Sequence, residues 1–222
     1  MASKTAQEEL ELIDVGGRDR NGGFGEGGSF PRGGGAGWAA PVLPQRVYVT
    51  GMVLGLAAIL MFFAALTSAY IVRKGLGNDW VAFGLPRILW LNTVILVASS
   101  VTVERARRSL GRELIGSFRY WWRITTALGL VFLAGQLIAW RELVTAGVYL
   151  ASNPSSSFFY LLTGSHGAHL LGGIVALAYI GWRSGRAETW PRQRAAATIC
   201  TIYWHFLDVL WVFLFLLLLL GR

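Results

Sequence analysis

Cysteine is almost missing from this chain, which has one, Cys200, in 222 residues. That excludes an intrachain disulfide and any metal cage built from cysteines; within an apolar run a lone thiol is expected to act as a small buried hydrophobe. Charge is thin as well. Asp, Glu, Lys and Arg make up 14% of the residues against 54% hydrophobic, and the mean hydropathy is +0.50, which is not the balance of a soluble globular protein. There is no Gly-rich phosphate loop, no His-Glu-x-x-His pair, no cysteine pair, and no nucleophile at a recognisable spacing from a base. Nothing in the chain by itself points to catalysis.

Acidic residues are scarcer than basic ones, 12 against 20, giving a net charge of +8. A basic protein invites a nucleic-acid reading, but these charges lie between long uncharged runs and not along one face of a domain, so no nucleic-acid partner is expected. The runs are long enough to cross a bilayer, for which about 20 apolar residues suffice. They predict an all-α, polytopic membrane protein, a bundle of five transmembrane helices over about residues 47–72, 88–104, 123–143, 158–182 and 195–220. Residues 1–45 differ in kind, acidic at first (Glu8, Glu9, Glu11, Asp14) and then Gly-rich from Gly22 to Gly37. So little apolar surface cannot offset ordering entropy, so a disordered tail is expected, and without a basic n-region or an apolar h-region no signal peptide is expected in it.

Orientation follows from Lys and Arg in the short loops. Arg105, Arg107, Arg108, Arg112, Arg119 and Arg123 fall in the second loop, and Arg183, Arg186, Arg192 and Arg194 in the fourth, both on the side of the N-terminal tail. The other side has Arg73, Lys74, Arg87, Arg141 and Arg222. An N-terminus in the cytoplasm and a C-terminus outside are therefore expected. Aromatic belts agree, with Tyr48, Tyr120, Trp121, Trp122, Trp182 and Trp190 at one interface and Tyr70, Trp80, Trp90, Trp140, Tyr149 and Tyr160 at the other.

Within the fourth run, Gly164, Ala168, Gly172 and Ala176 recur every four residues, a row of small side chains that would let another helix approach closely. The first run has the shorter pair Gly51 and Gly55, for which packing and the mere frequency of Gly in membrane helices are equally good readings. All three histidines lie in predicted spans, His166 and His169 in the fourth and His205 in the fifth, where Asp208 follows. Each pair is spaced i, i+3 and so shares a face. Three readings compete for them. Metal or haem ligation would need three or four donors, or paired imidazoles, converging on one cavity. A proton relay would need entry and exit groups, and the first three spans offer no mid-span acid. The favoured reading is a structural polar network joining the fourth and fifth helices, with 169 and 208 at similar depth. Glu104 is expected to be neutralised by Arg107 and Arg108, and Arg141 and Glu142 to mark an interfacial helix end.

The run Tyr203-Trp-His-Phe-Leu-Asp-Val-Leu-Trp211-Val-Phe-Leu-Phe215 resembles the last-helix signature of subunit III of the haem-copper oxidases, the cytochrome c oxidase subunit III family. Leu162-Thr-Gly-Ser-His-Gly-Ala-His-Leu170, Leu89-Trp-Leu-Asn-Thr93 with Ser99-Ser-Val-Thr102, and Met61-Phe-Phe-Ala-Ala-Leu-Thr-Ser-Ala-Tyr70 resemble its earlier segments in the family's order, so the likeness covers about residues 46–220. It implies the short five-helix bacterial form: a subunit with no redox cofactor of its own, beside a subunit I and a subunit II that carry haem and copper. It further implies bound phospholipid, a place in the aerobic respiratory chain or a larger supercomplex, and location in the bacterial plasma membrane. A quinol oxidase subunit and a companion of nitric oxide reductase are close alternatives. A free-standing transporter is a different class; those tend to show internal repeats, and no convincing repeat is seen among five spans. Ile59 and Ala139 stand where family members often have glutamate, so no carboxylate-dependent role is carried over to them.

Overall fold

The structure, a computed structural model, describes residues 45–76, 84, 86–150, 153–184 and 190–221, without the side chains of Gln45, Arg46, Tyr48, Trp190, Pro191 and Arg192. The expected tail, Trp80, Arg186 and Arg222, and the side chains of Tyr48, Trp190 and Arg192, lie outside the described residues. Among those residues every regular element is helical: α1 Gln45–Leu76, α2 Ile88–Gly111, α3 Ile115–Thr145, α4 Pro154–Arg183 and α5 Trp190–Leu220. All five are long and apolar enough to span a membrane, and a helix satisfies its own backbone where no water is available.

The helices outrun their uncharged stretches. At about 1.5 Å per residue a hydrocarbon core of about 30 Å takes about 20 residues, and whatever follows lies among headgroups, where charge does not stop a helix. So α2 continues past Glu104 to Gly111, held by bonds of 2.8 and 2.7 Å from Arg107 and 2.8 Å from Arg108 to the Glu104 carboxylate. α3 already begins at Ile115. The link between them is a tight helix-ending turn: Leu114 N–H bonds the Ser109 carbonyl and Glu113 N–H the Leu110 carbonyl, with Glu113 in the left-handed region at φ 62°. α3 ends the same way, Val148 bonding Leu143 and Gly147 bonding Val144, but there the left-handed position (φ 79°) is a glycine. α4 opens on a capping box between Asn153 and Ser156, with Pro154 in the first turn.

α2, α3, α4 and α5 form a ring in which each packs on the next and α5 returns to α2; α1 lies outside it against α4 and α5. The ring closes around Trp204 of α5, which is fully buried. Its indole N–H donates to Ser99 Oγ on α2 at 2.9 Å, and its six-membered ring fills the space left by Gly129 on α3 and Gly173 on α4. A Cβ at 129 would stand 2.8 Å from Trp204 Cη2, and one at 173 would stand 3.3 Å from Cζ3. One large side chain thus touches three neighbouring helices, and at position 129 a glycine is needed for it to do so.

Other tryptophans repeat the device, pairing a polar N–H across the α2/α5 and α3/α4 seams. Trp211 donates to Thr93 (3.1 Å), Trp122 to the Leu177 carbonyl (2.7 Å) and Trp140 to Thr163 (3.2 Å). Trp122 and Tyr70, expected in the interfacial belts, are instead buried, whereas Tyr120, Trp182, Trp90 and Tyr149 are exposed. Cys200 is buried and free.

Candidate functional site: polar side chains inside the bundle

α4 and α5 meet where Tyr203 OH donates to the His169 carbonyl at 3.0 Å. At about 100° per residue, His205 lies about 200° around α5 from Tyr203, facing away from α4. It faces α2. Ser100 Oγ donates to Asp208 Oδ2 at 2.5 Å and stands 2.8 Å from His205 Nδ1, so with its hydroxyl hydrogen on the carboxylate the imidazole must be the donor to Ser100. The second carboxylate oxygen, Oδ1, is buried with no protein partner among the described residues.

The structure therefore corrects the expected four-residue network between α4 and α5. His205 and Asp208 come together, but through Ser100 of α2. His169 donates from Nδ1 to the Ser165 carbonyl of its own helix at 2.7 Å and packs its ring on Phe63 and Phe62 of α1, at centroid distances of 5.6 and 6.2 Å. His166 is fully buried between Phe132 of α3, at 6.1 Å, and Trp211 of α5, at 5.1 Å, with neither ring nitrogen bonded to protein among the described residues. It does reach α5, by ring packing and not by hydrogen bonding. Asn92 and Gln136 are likewise buried with their amides unpaired among those residues.

The small-residue row lies mostly on the outside of the bundle, although Ala176 packs against the core. Ala168 and Gly172 are exposed, a Cβ at 172 would meet nothing within 4 Å, and one at 164 would reach only ordinary contact with Trp140 at 3.5 Å. The buried stripe of α4 runs instead through Phe159, Leu162, His166, Leu170, Gly173 and Leu177. A row of small side chains marks a surface that could be approached closely, but which surface is approached depends on where the neighbouring helices stand. Gly51 and Gly55 also face open space.

Ser100 is the residue that sequence reasoning passed over. Ser99, Ser100 and Thr102 interrupt an otherwise apolar stretch of α2 and were the available signal; Thr102 pairs with Thr125 of α3 at 2.8 Å. Ile59 is half-buried against the core and Ala139 fully buried, so neither brings an ionisable group to the interior.

Haem or copper ligation requires donors that converge. Here one histidine is wrapped in aromatic rings, one is turned to α1 and one to α2. Among the described residues no three His, Cys, Asp or Glu side chains gather at one place. This donor set does not fit a haem or copper centre.

Five spanning helices, fastened by indole N–H bonds and carrying a short polar chain, define a multi-pass helical membrane protein. Comparison with known proteins gives the family. The profile described as cytochrome c oxidase subunit III matches residues 44–220. A probable cytochrome c oxidase subunit 3 of Mycobacterium tuberculosis (strain ATCC 25618 / H37Rv) is 36% identical over 180 residues, 78% of this chain and 86% of the relative. Cytochrome c oxidase subunit 3 of Thermostichus vulcanus is 34% identical over 174 residues (77% and 85%), and that of Corynebacterium diphtheriae 35% over 180 (78% and 87%). The chain belongs to the cytochrome c oxidase subunit III family, whose name is that of a subunit of a respiratory oxidoreductase.

Proposed function

We propose that this chain is a non-catalytic subunit of a bacterial haem-copper terminal oxidase in which partner subunits I and II hold haem and copper and reduce oxygen to water with electrons from cytochrome c. Its work is to stabilise subunit I and to hold phospholipid beside it. The chain sits in the plasma membrane with its N-terminus in the cytoplasm and its C-terminus outside, following the Arg-rich loops.

The observation that supports docking is the Ser100–His205–Asp208 chain. Ser100 and His205 are half-exposed on the α2/α5 face, among the exposed apolar side chains Val97, Val101, Ile202 and Val209. A polar group facing lipid is costly, and such groups normally face protein or a water-filled cavity. A partner helix that brings a hydrogen-bonding side chain to His205 removes that cost. The test places a photo-crosslinking amino acid at Val209, which is 70% exposed. Capture of a large haem-bearing polypeptide is expected. Capture of lipid alone, while the same group at Val175 on α4 captures the haem protein, would rule out the α2/α5 face.

A further inference from the structure

We infer that the helix received by the α2/α5 face carries a side-chain hydrogen-bond donor opposite His205, a hydroxyl, amide, indole or basic group, because His205 presents a bare ring nitrogen there. The inference rests on the docking proposed above and assigns the partner's chemistry at that point.

The polarity of the cluster follows from counting its hydrogens. A serine hydroxyl has one to give, and that of Ser100 goes to Asp208 Oδ2 at 2.5 Å. The 2.8 Å contact between Ser100 and His205 is then made by a hydrogen on Nδ1 of the imidazole. In a neutral imidazole this fixes the tautomer: Nδ1 donates, and Nε2 keeps only a lone pair. Both hydrogens of the cluster are thus used inside it. What remains are two acceptors, Nε2 of the half-exposed His205 and the buried second oxygen of Asp208.

Among the described residues this chain does not supply the missing donor. Arg107 and Arg108, about two turns beyond Ser100 on α2, are both turned to the Glu104 carboxylate, at 2.7 to 2.8 Å. Val97 and Val101 of α2 and Ile202 and Val209 of α5, exposed on the same face, have no polar hydrogen in their side chains. Hydrocarbon offers none, and a spanning helix uses its backbone N–H groups internally. The donor is therefore a side chain of the incoming helix. A carboxylate at that point would set an acceptor against a lone pair, so the same arrangement discriminates against a helix that offers only an acid.

The test uses the intact complex, purified in mild detergent from cells carrying each of three variants, and reads how much of this chain stays with the haem-bearing subunit through successive detergent washes. Asparagine can place an N–H where Nδ1 stood but has nothing at the position of Nε2. Glutamine can place its amide oxygen at the position of Nε2 but gives up the bond to Ser100. Phenylalanine keeps a ring and loses both. An interhelical hydrogen bond in a membrane corresponds to roughly a three- to 18-fold change in association. His205→Asn and His205→Phe should be retained less well than His205→Gln by that factor. Equal retention of His205→Asn and His205→Gln, or better retention of His205→Asn, overturns the inference, since the value of His205 would then lie in its bond to Ser100. Nitrogen-15 labelling of the histidines in the unaltered complex gives a second reading, the His205 signals being those missing from His205→Asn. An unprotonated Nε2 is expected, and a proton on it overturns the inference by making the partner the acceptor. The Val209 crosslink is recorded on the same preparations. Capture of the haem protein with equal retention of the variants counts against the donor alone, whereas capture of lipid alone in the unaltered complex counts against the docking itself.

Discussion

Replacing Gly129 by alanine should destabilise the bundle, although the same change elsewhere in a helix stabilises it. Alanine is favoured over glycine by about 1 kcal/mol in a helix interior. At 129, however, the new methyl would stand 2.8 Å from Trp204 Cη2 and 3.1 Å from Ile174 Cγ1. Neither neighbour is free to yield: Trp204 is held by Ser99 and by Gly173, and Ile174 is buried. Overpacking of this kind typically costs about 1–3 kcal/mol. Gly172→Ala supplies the control, since its methyl would meet nothing within 4 Å. The two variants share the propensity gain, so their difference isolates the clash and should be about 1–3 kcal/mol. The assay is reversible denaturation of the purified full chain in mixed micelles, followed by tryptophan fluorescence. Equal stability of the two variants would refute the placement of Trp204 as the wedge between α3 and α4.

Three further outcomes follow from the same geometry. Glu113→Gly should stabilise and Gly147→Ala destabilise, each by about 1 kcal/mol, because both positions hold left-handed backbone at a helix end and only one has the residue suited to it; denaturation midpoints that move in the same direction for both would contradict this. Gln136→Leu should be neutral or stabilising by about 1 kcal/mol, since an unpaired buried amide is replaced by an apolar side chain of similar size, and a lower thermal midpoint would show that the amide has a partner. In a double-mutant cycle, Ser100→Ala and Asp208→Leu should be coupled by about 0.6–1.7 kcal/mol, the range for interhelical hydrogen bonds in membranes; purely additive losses would mean that the 2.5 Å contact contributes nothing.

The helices were legible because charge punctuates the apolar runs, and a membrane offers the backbone few alternatives to a helix. Their ends were less so. Beyond the hydrocarbon a helix carries no hydropathy signal, so the Glu104–Gly111 extension of α2 depended on local ion pairs, and the start of α4 on a capping box at Asn153. In the polar cluster, the residue types were legible and the partners were not. His205 and Asp208 share a face by spacing alone, but which helix that face meets depends on the α4–α5 register fixed by Tyr203 and His169. Two residues of offset turned an expected bond to α4 into the observed bond to Ser100. The row Gly164, Ala168, Gly172, Ala176 touches the bundle at its ends, Gly164 near Trp140 and Ala176 against the core, and is exposed between them, whereas Gly129 and Gly173, which admit Trp204, share no periodic pattern that could announce them.

The signature around Trp204 gains a physical reading from the structure. Tyr203 binds α4, Trp204 wedges three helices, His205 and Asp208 meet Ser100, and Trp211 bonds Thr93 while packing on His166. These are fastenings between helices of this chain.

The central claim is that this chain works as an accessory subunit of a terminal oxidase. Affinity purification of the tagged chain from its native membrane in mild detergent, followed by a reduced-minus-oxidised spectrum and subunit analysis, tests it most directly. Stoichiometric haem in a co-purifying many-helix subunit, together with a copper-bearing second subunit, is the predicted result. A colourless, solitary protein obtained under the same conditions would contradict it.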